Sequence, residues 1–98
     1  MLVHTVYFWL KPGLAPDQIR NFETLSAAMA EIPGVEHLWT GKPAPTDRPV
    51  IDRSYSYALI VVFKDMAAHD VYQVHPIHDV FRNTCGGYWS QVKIYDSL

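Results

Sequence analysis

A tyrosine and two histidines stand close together late in the chain, in the segment Tyr72-Gln-Val-His-Pro-Ile-His78. An imidazole can take up a proton near neutral pH, and a phenol can donate a hydrogen bond to a developing enolate oxygen. These two groups are what proton removal next to a carbonyl requires, with His78 as the base and Tyr72 as the donor. Because Pro76 breaks the helix between them, they belong to two helical segments that can converge at the break. The segment therefore predicts Tyr72 and His78 as a candidate catalytic pair.

A structural role is the competing interpretation, and histidines in such positions more often serve it. His75 and His78 can each bond a backbone group at the break, with Tyr72 half buried and its hydroxyl satisfied locally. His4 lies in the middle of an apolar strand, where a hydrogen-bonded core histidine is more common than a ligand-binding one. Trp9 can line a cavity for an apolar molecule, although a core or interface position is the usual one for tryptophan.

Other kinds of site have little support in the residues. His75 and His78 are the only closely spaced pair of potential metal ligands, and no third ligand stands at a diagnostic spacing, so no metal site is predicted. Cys85 is the single cysteine, which excludes an intrachain disulfide and favours a buried, unreactive thiol. The formal charge is −2 and Lys and Arg are not clustered, which argues against binding to nucleic acid or to a membrane surface.

The apolar and charged fractions, 49% and 18%, indicate a folded chain that is unusually apolar for its length. The apolar start, Leu2–Leu10, contains His4, lacks a preceding basic region and is followed by Lys11-Pro12-Gly13. It is therefore interpreted as a strand of a cytoplasmic protein and not as a targeting segment.

Alternating and helical periods divide the chain into elements that must position the candidate pair. We expect strands at 2–10, 35–42, 55–63 and 88–96, a helix from Pro16 to the Pro33-Gly34 stop, a helix after Asp65 that ends near Val74, and a further helical segment from Pro76 to Gly86. This order predicts one α+β domain over residues 1–98. Its architecture is the ferredoxin-like βαββαβ arrangement, a four-stranded antiparallel sheet with the helices on one face.

Nothing in the chain is expected to cover the second face of this sheet. That face carries either the set Leu2, Val6 and Phe8 or the set Val3, Tyr7 and Trp9 from the first strand. An apolar face of this size favours association. A homodimer that packs two sheets against each other, as a dimeric α+β barrel, is the predicted stable form.

Several segments resemble the stress-responsive A/B barrel family, a branch of the dimeric α+β barrel superfamily. They are Val3-His4 with Phe8 and Lys11-Pro12-Gly13, Ile32-Pro33-Gly34-Val35, Gly41, Tyr55 to Phe63, and Tyr72 to His78 followed by Phe81. A plant polyketide cyclase of this family performs an aldol condensation without a cofactor. The resemblance implies that its catalytic tyrosine and histidine correspond to Tyr72 and His78, and a strand-one histidine to His4.

The chain departs from the plant cyclase at Tyr57, where that enzyme carries a further pocket histidine. Tyr57 is therefore grouped with His4, His75 and Trp9 as candidate ligand-binding residues. The expected function is a cofactor-independent lyase or cyclase of a small apolar carbonyl compound. The alternative is a stress-associated protein that binds such a ligand without changing it. A monooxygenase, cofactor-free or haem-dependent, is the less favoured third possibility, because relatives elsewhere in the superfamily perform that chemistry.

Overall fold

The computed structural model describes all 98 residues of the chain. Its elements are β1 Leu2–Leu10, α1 Pro16–Ala28, β2 Val35–Gly41, β3 Tyr57–Phe63, α2 Met66–Val74, α3 Pro76–Cys85 and β4 Trp89–Ser97, with a 3-10 turn at Met29–Glu31 after α1. The βαββαβ order is confirmed, and the second helical region consists of the two predicted pieces, α2 and α3.

Local chemistry explains where the helices begin and end. Pro16 occupies the first position of α1, where its missing N–H costs nothing, and the Gln18 side chain accepts from the Ala15 N–H at 2.8 Å. The Asp65 carboxylate accepts from the Ala68 N–H at 3.0 Å and starts α2. Gly34 has a φ of +93°, the left-handed conformation that turns the chain from the 3-10 segment into β2.

The four strands form one antiparallel sheet in the order β2-β3-β1-β4. Side chains alternate along β1, so Leu2, His4, Val6 and Phe8 are buried toward the helices. In the register of the sheet, His4 lies opposite Val61 on one side and Asp96 on the other. This register puts His4 on the helix side, beside the last strand.

Aromatic rings fill the space between the sheet and the helices. Phe22 of α1 is 1% exposed, and its ring centroid lies 5.0 Å from that of Phe8 and 5.6 Å from that of Phe81. Cys85 is fully buried in the same core, as predicted, and burial raises the pKa of its thiol. The core therefore fixes α1 and α3 against β1.

The second face of the sheet carries the Val3, Tyr7 and Trp9 set of β1 and lacks a helical layer. The loop before β3 reaches part of this face, where the Trp9 indole N–H donates to the Ser54 hydroxyl at 3.1 Å. β3 begins at Tyr57, two residues later than expected, so Tyr55 belongs to this loop. Its ring centroid lies 5.0 Å from that of Tyr7. None of the helices is long and apolar enough to cross a bilayer.

Candidate active site

A cavity of about 190 Å³ lies between the helix side of the sheet and the helices α2 and α3. Its walls are largely apolar. The residues that line it also include several with polar side-chain groups, among them His4, Tyr72, Gln73, His78 and Arg82. A liquid water molecule occupies about 30 Å³, so the space suits a molecule of several non-hydrogen atoms. An apolar cavity with a few convergent polar groups is the usual form of a small-molecule site.

The break between α2 and α3 brings Tyr72 and His78 together. His75 is extended, with φ −71° and ψ 143°, because a residue before proline is kept out of the helical region. The chain changes direction there, and Pro76 begins α3. The ring centroids of Tyr72 and His78 lie 4.9 Å apart in an edge-to-face arrangement. The two side chains thus form neighbouring parts of the cavity wall.

His78 has a buried ring nitrogen, Nδ1, that has no hydrogen-bond partner. Burial lowers the pKa of this imidazole, and the positive charge of Arg82 lowers it further, against an opposite effect of Asp79. The ring is therefore neutral at neutral pH. A structural role for His78 would have it bond a backbone group at the helix break, and Nδ1 does not form such a bond.

Tyr72 is 1% exposed, and its hydroxyl donates to the Met29 sulfur, Sδ, at 3.4 Å. A thioether sulfur is a weak acceptor, so replacing this hydrogen bond by one to an oxygen acceptor costs little free energy. Burial raises the pKa of Tyr72, which keeps the phenol protonated. The cavity thus contains a neutral imidazole next to a hydrogen-bond donor.

His4 is both a hydrogen-bonded histidine of the core and part of the cavity wall. Its side chain is buried, and Nδ1 lies 2.5 Å from Oδ1 of Asp96. Its ring also borders the cavity, with a centroid 5.8 Å from that of Tyr72. Asp96 was missed in the sequence because only the β1–β4 register, which the sequence does not reveal, pairs it with His4.

The remaining predicted ligand-binding residues do not join this group. His75 caps α3, because its Nδ1 accepts from the Ile77 N–H at 3.1 Å. The Tyr57 hydroxyl donates to the Glu23 carboxylate at 2.7 Å, and burial together with this bond raises the Tyr57 pKa to about 12. Trp9 lies on the opposite face of the sheet, where it borders a separate groove of about 520 Å³.

Three potential metal ligands come together beside the cavity. One ligand atom from each of His4, His69 and Asp96 lies within 4.8 Å of the others. The sequence pattern did not reveal this group, because its members belong to β1, α2 and β4 and have no diagnostic spacing.

Comparison with solved structures gives matches over almost the whole chain. A Dabb family protein with a ferredoxin-like fold from Mesorhizobium loti is 25% identical, with a TM-score of 0.79 and coverage of 99% of this chain and 94% of that one. A dimeric ferredoxin-like protein of unknown function from Jannaschia sp. is 24% identical, with a TM-score of 0.80 and coverage of 99% and 97%. The hydroxynitrile lyase of Passiflora edulis is 17% identical, with a TM-score of 0.80 and coverage of 98% and 90%.

The search of curated proteins found no match. The model of the family described as the Stress Responsive A/B Barrel Domain matches residues 2–98, which is nearly the entire chain. Fold, topology and this match agree with the resemblance carried by the Tyr72–His78 segment. The chain therefore belongs to the stress-responsive A/B barrel domain family.

Proposed function

We propose that this protein is a cofactor-independent lyase or cyclase that acts on a small, largely apolar carbonyl compound. The observation that carries the proposal is the unpartnered Nδ1 of His78 beside the weakly bonded hydroxyl of Tyr72. Buried polar groups are normally paired, and His78 is one of the residues that line the cavity, so a ligand in the cavity can supply the partner of Nδ1 after a small rotation of the ring. The Passiflora edulis neighbour, named a hydroxynitrile lyase, has the same fold, and at its low identity it supports this reaction class by analogy only.

In the proposed reaction, His78 removes a proton next to the carbonyl carbon of the ligand. Its lowered pKa favours the neutral form that can accept this proton. As the carbonyl becomes an enolate, Tyr72 exchanges its bond to the Met29 sulfur for one to the enolate oxygen. A donor that forms its strong bond only as charge develops stabilises the transition state more than the ground state. The enolate carbon then attacks a second carbonyl carbon of the ligand, and the oxygen of that carbonyl takes up the proton held by His78. The same steps in reverse cleave the carbon–carbon bond.

Deuterium exchange tests this proposal without knowledge of the natural substrate. Small methyl ketones and diketones are incubated with the protein in D2O, and NMR follows the loss of the protons next to the carbonyl. Wild-type protein is expected to accelerate this loss. His78→Gln should abolish the acceleration, Tyr72→Phe should reduce it strongly, and His37→Gln on exposed β2 should leave it unchanged. Equal rates in wild type and His78→Gln would contradict the assignment of His78 as the base.

Ligand binding without chemistry is the second candidate. It is favoured by the apolar cavity walls and by the exposed apolar side chains of Val92 and Ile94 at the edge of the cavity. In this case the same ketones shift NMR signals of cavity residues, but no proton exchange is accelerated. Substitution of His78 then weakens binding only modestly, which separates the two candidates.

We also propose that the working form is a homodimer joined through the second face of the sheet. The support is the absence of a helical layer on that face, the exposed Trp39 and Tyr95 side chains on it, and the dimeric state of the Jannaschia neighbour. Light scattering should give twice the 11.2 kDa mass of one chain. Ile60→Lys on the open face should give the mass of one chain, whereas Val80→Lys on exposed α3 should not. A wild-type monomer would contradict the dimer.

A further inference from the structure

The group formed by His4, His69 and Asp96 lies where the end of β4 meets β1 and the first turn of α2. His4 is buried, the His69 side chain is 13% exposed, and the Asp96 side chain is 43% exposed. The two histidines are thus largely shielded from solvent, whereas the Asp96 carboxylate is accessible to it. A ligand could reach it from solvent without a change of fold.

We propose that His4, His69 and Asp96 bind a divalent transition-metal ion, with zinc as the reference ion. Two imidazoles and one carboxylate are the ligand types that zinc, cobalt and nickel take in proteins. Three protein ligands also leave one position of a tetrahedral ion open for water or a small molecule. This inference goes beyond the proposed lyase activity and does not depend on it.

Distances in the group fit an ion after small side-chain movements. Ligand atoms of one tetrahedral zinc ion are roughly 3.3 Å apart, as bond lengths of about 2.0 to 2.1 Å require. The ligand atoms here lie within 4.8 Å of one another, and the bonded pair from His4 and Asp96 is 2.5 Å apart. An ion inserted between them requires this pair to open, with release of the Nδ1 proton that His4 donates to Asp96. The wider separations must close by rotation of side chains.

The surroundings of His69 provide a separate argument. Its Nδ1 lies 3.1 Å from Oδ1 of Asp70, and its Nε2 lies 3.1 Å from the side-chain amide nitrogen of Gln73. A carboxylate accepts only, so Nδ1 carries the proton and Nε2 keeps its lone pair, which accepts from the amide of Gln73. A histidine whose second nitrogen donates to a carboxylate is the usual arrangement around a bound zinc ion. Asp70 therefore favours the tautomer in which Nε2 carries the lone pair, and a metal ion bound by Nε2 would replace the hydrogen bond from Gln73.

Titration of the chelator-treated full chain with zinc, followed by calorimetry, tests the site. Wild-type protein is expected to bind one ion per chain at micromolar concentration. His69→Gln and Asp96→Asn should each weaken binding by at least about tenfold, the size of effect known even for groups that only support a ligand. His37→Gln, which removes an exposed histidine on β2, should leave the affinity unchanged. Circular dichroism verifies that each variant is folded.

Cobalt gives a second readout, since a four- or five-coordinate cobalt ion absorbs visible light much more strongly than the hydrated ion. Wild type should show this absorption, and His69→Gln should lack it. The proposal is overturned if wild type binds no zinc at millimolar concentration, or if both site variants bind as tightly as wild type. If wild-type protein binds zinc but does not accelerate proton exchange in the ketone assay, only the proposed lyase activity is contradicted. The two proposals can therefore fail separately.

Discussion

Replacement of His78 by leucine is expected to make the protein more stable. A buried polar group without a partner costs about 1–3 kcal/mol, and Nδ1 of His78 is such a group. Leucine has a similar volume and no polar atom, so His78→Leu should raise the free energy of unfolding by about 1 kcal/mol or more. For a domain of about this size, each kcal/mol corresponds to about 4–8 °C in Tm.

His75→Leu is the matched control, since it changes the same residue type three positions earlier. The His75 ring nitrogen caps α3, and loss of a cap lowers the free energy of unfolding by about 1 kcal/mol. Thermal and urea unfolding are followed by circular dichroism at equal protein concentration, because self-association adds to stability. The free energy of unfolding is expected to rise in His78→Leu and to fall in His75→Leu. If His78→Leu destabilises as much as His75→Leu, the interpretation of His78 as an unsatisfied group is wrong.

The pH dependence of the His78→Leu difference gives a second check. Burial lowers the pKa of His78 in the folded chain, whereas in the unfolded chain it stays near the ordinary 6.5. As the pH falls through 6.5, the unfolded state takes up a proton that the native state does not, so wild type loses stability. This loss stops once the pH is below the native pKa. The advantage of leucine should therefore grow on acidification, and a difference independent of pH would refute the reasoning.

Three further substitutions test the packing and bonding around the site by chemical denaturation. Phe22→Ala should lower the free energy of unfolding by about 3–5 kcal/mol, since its buried ring adjoins four other aromatic rings; a loss below about 1 kcal/mol would contradict this. Gly34→Ala should cost about 1–2 kcal/mol for its positive φ, with additional crowding because the new Cβ would lie 3.0 Å from Ala68; an unchanged midpoint would exclude that strain. Tyr57→Phe should cost about 1 kcal/mol, and a double-mutant cycle with Glu23→Gln should show coupling that is absent if their bond does not form.

The fold was predictable from the sequence because its signals are local. The alternation of Leu2–Leu10 and the Asp65 cap define their elements without tertiary information, and both match the structure. Which set of β1 side chains lies on the open face could be decided only from the structure, because both sets are largely apolar. Tyr55 was assigned to β3 because it is aromatic, but its ring packs on Tyr7 from the loop, which only the folded chain reveals.

The candidate site was predictable only where its residues are close in sequence. Pro76 indicated that Tyr72 and His78 would sit on separate helices, and their rings do meet at the break. The His4–Asp96 bond depends on strand register, and His69 joins them only because α2 packs over that end of the sheet. Contacts of this kind have no local signal. Sequence reasoning therefore found the pair at the break and missed the group across three elements.

Nitrogen NMR of the histidine rings in uniformly labelled protein is the most direct test of the central claim, that His78 is a neutral imidazole available to a ligand. The account predicts that His78 titrates below 6.5. It also predicts that a small ketone or diketone shifts the His78 ring signals, while those of His37 do not move. Titration at or above 6.5, together with ring signals that no carbonyl compound changes, would contradict the claim and leave His78 a structural residue.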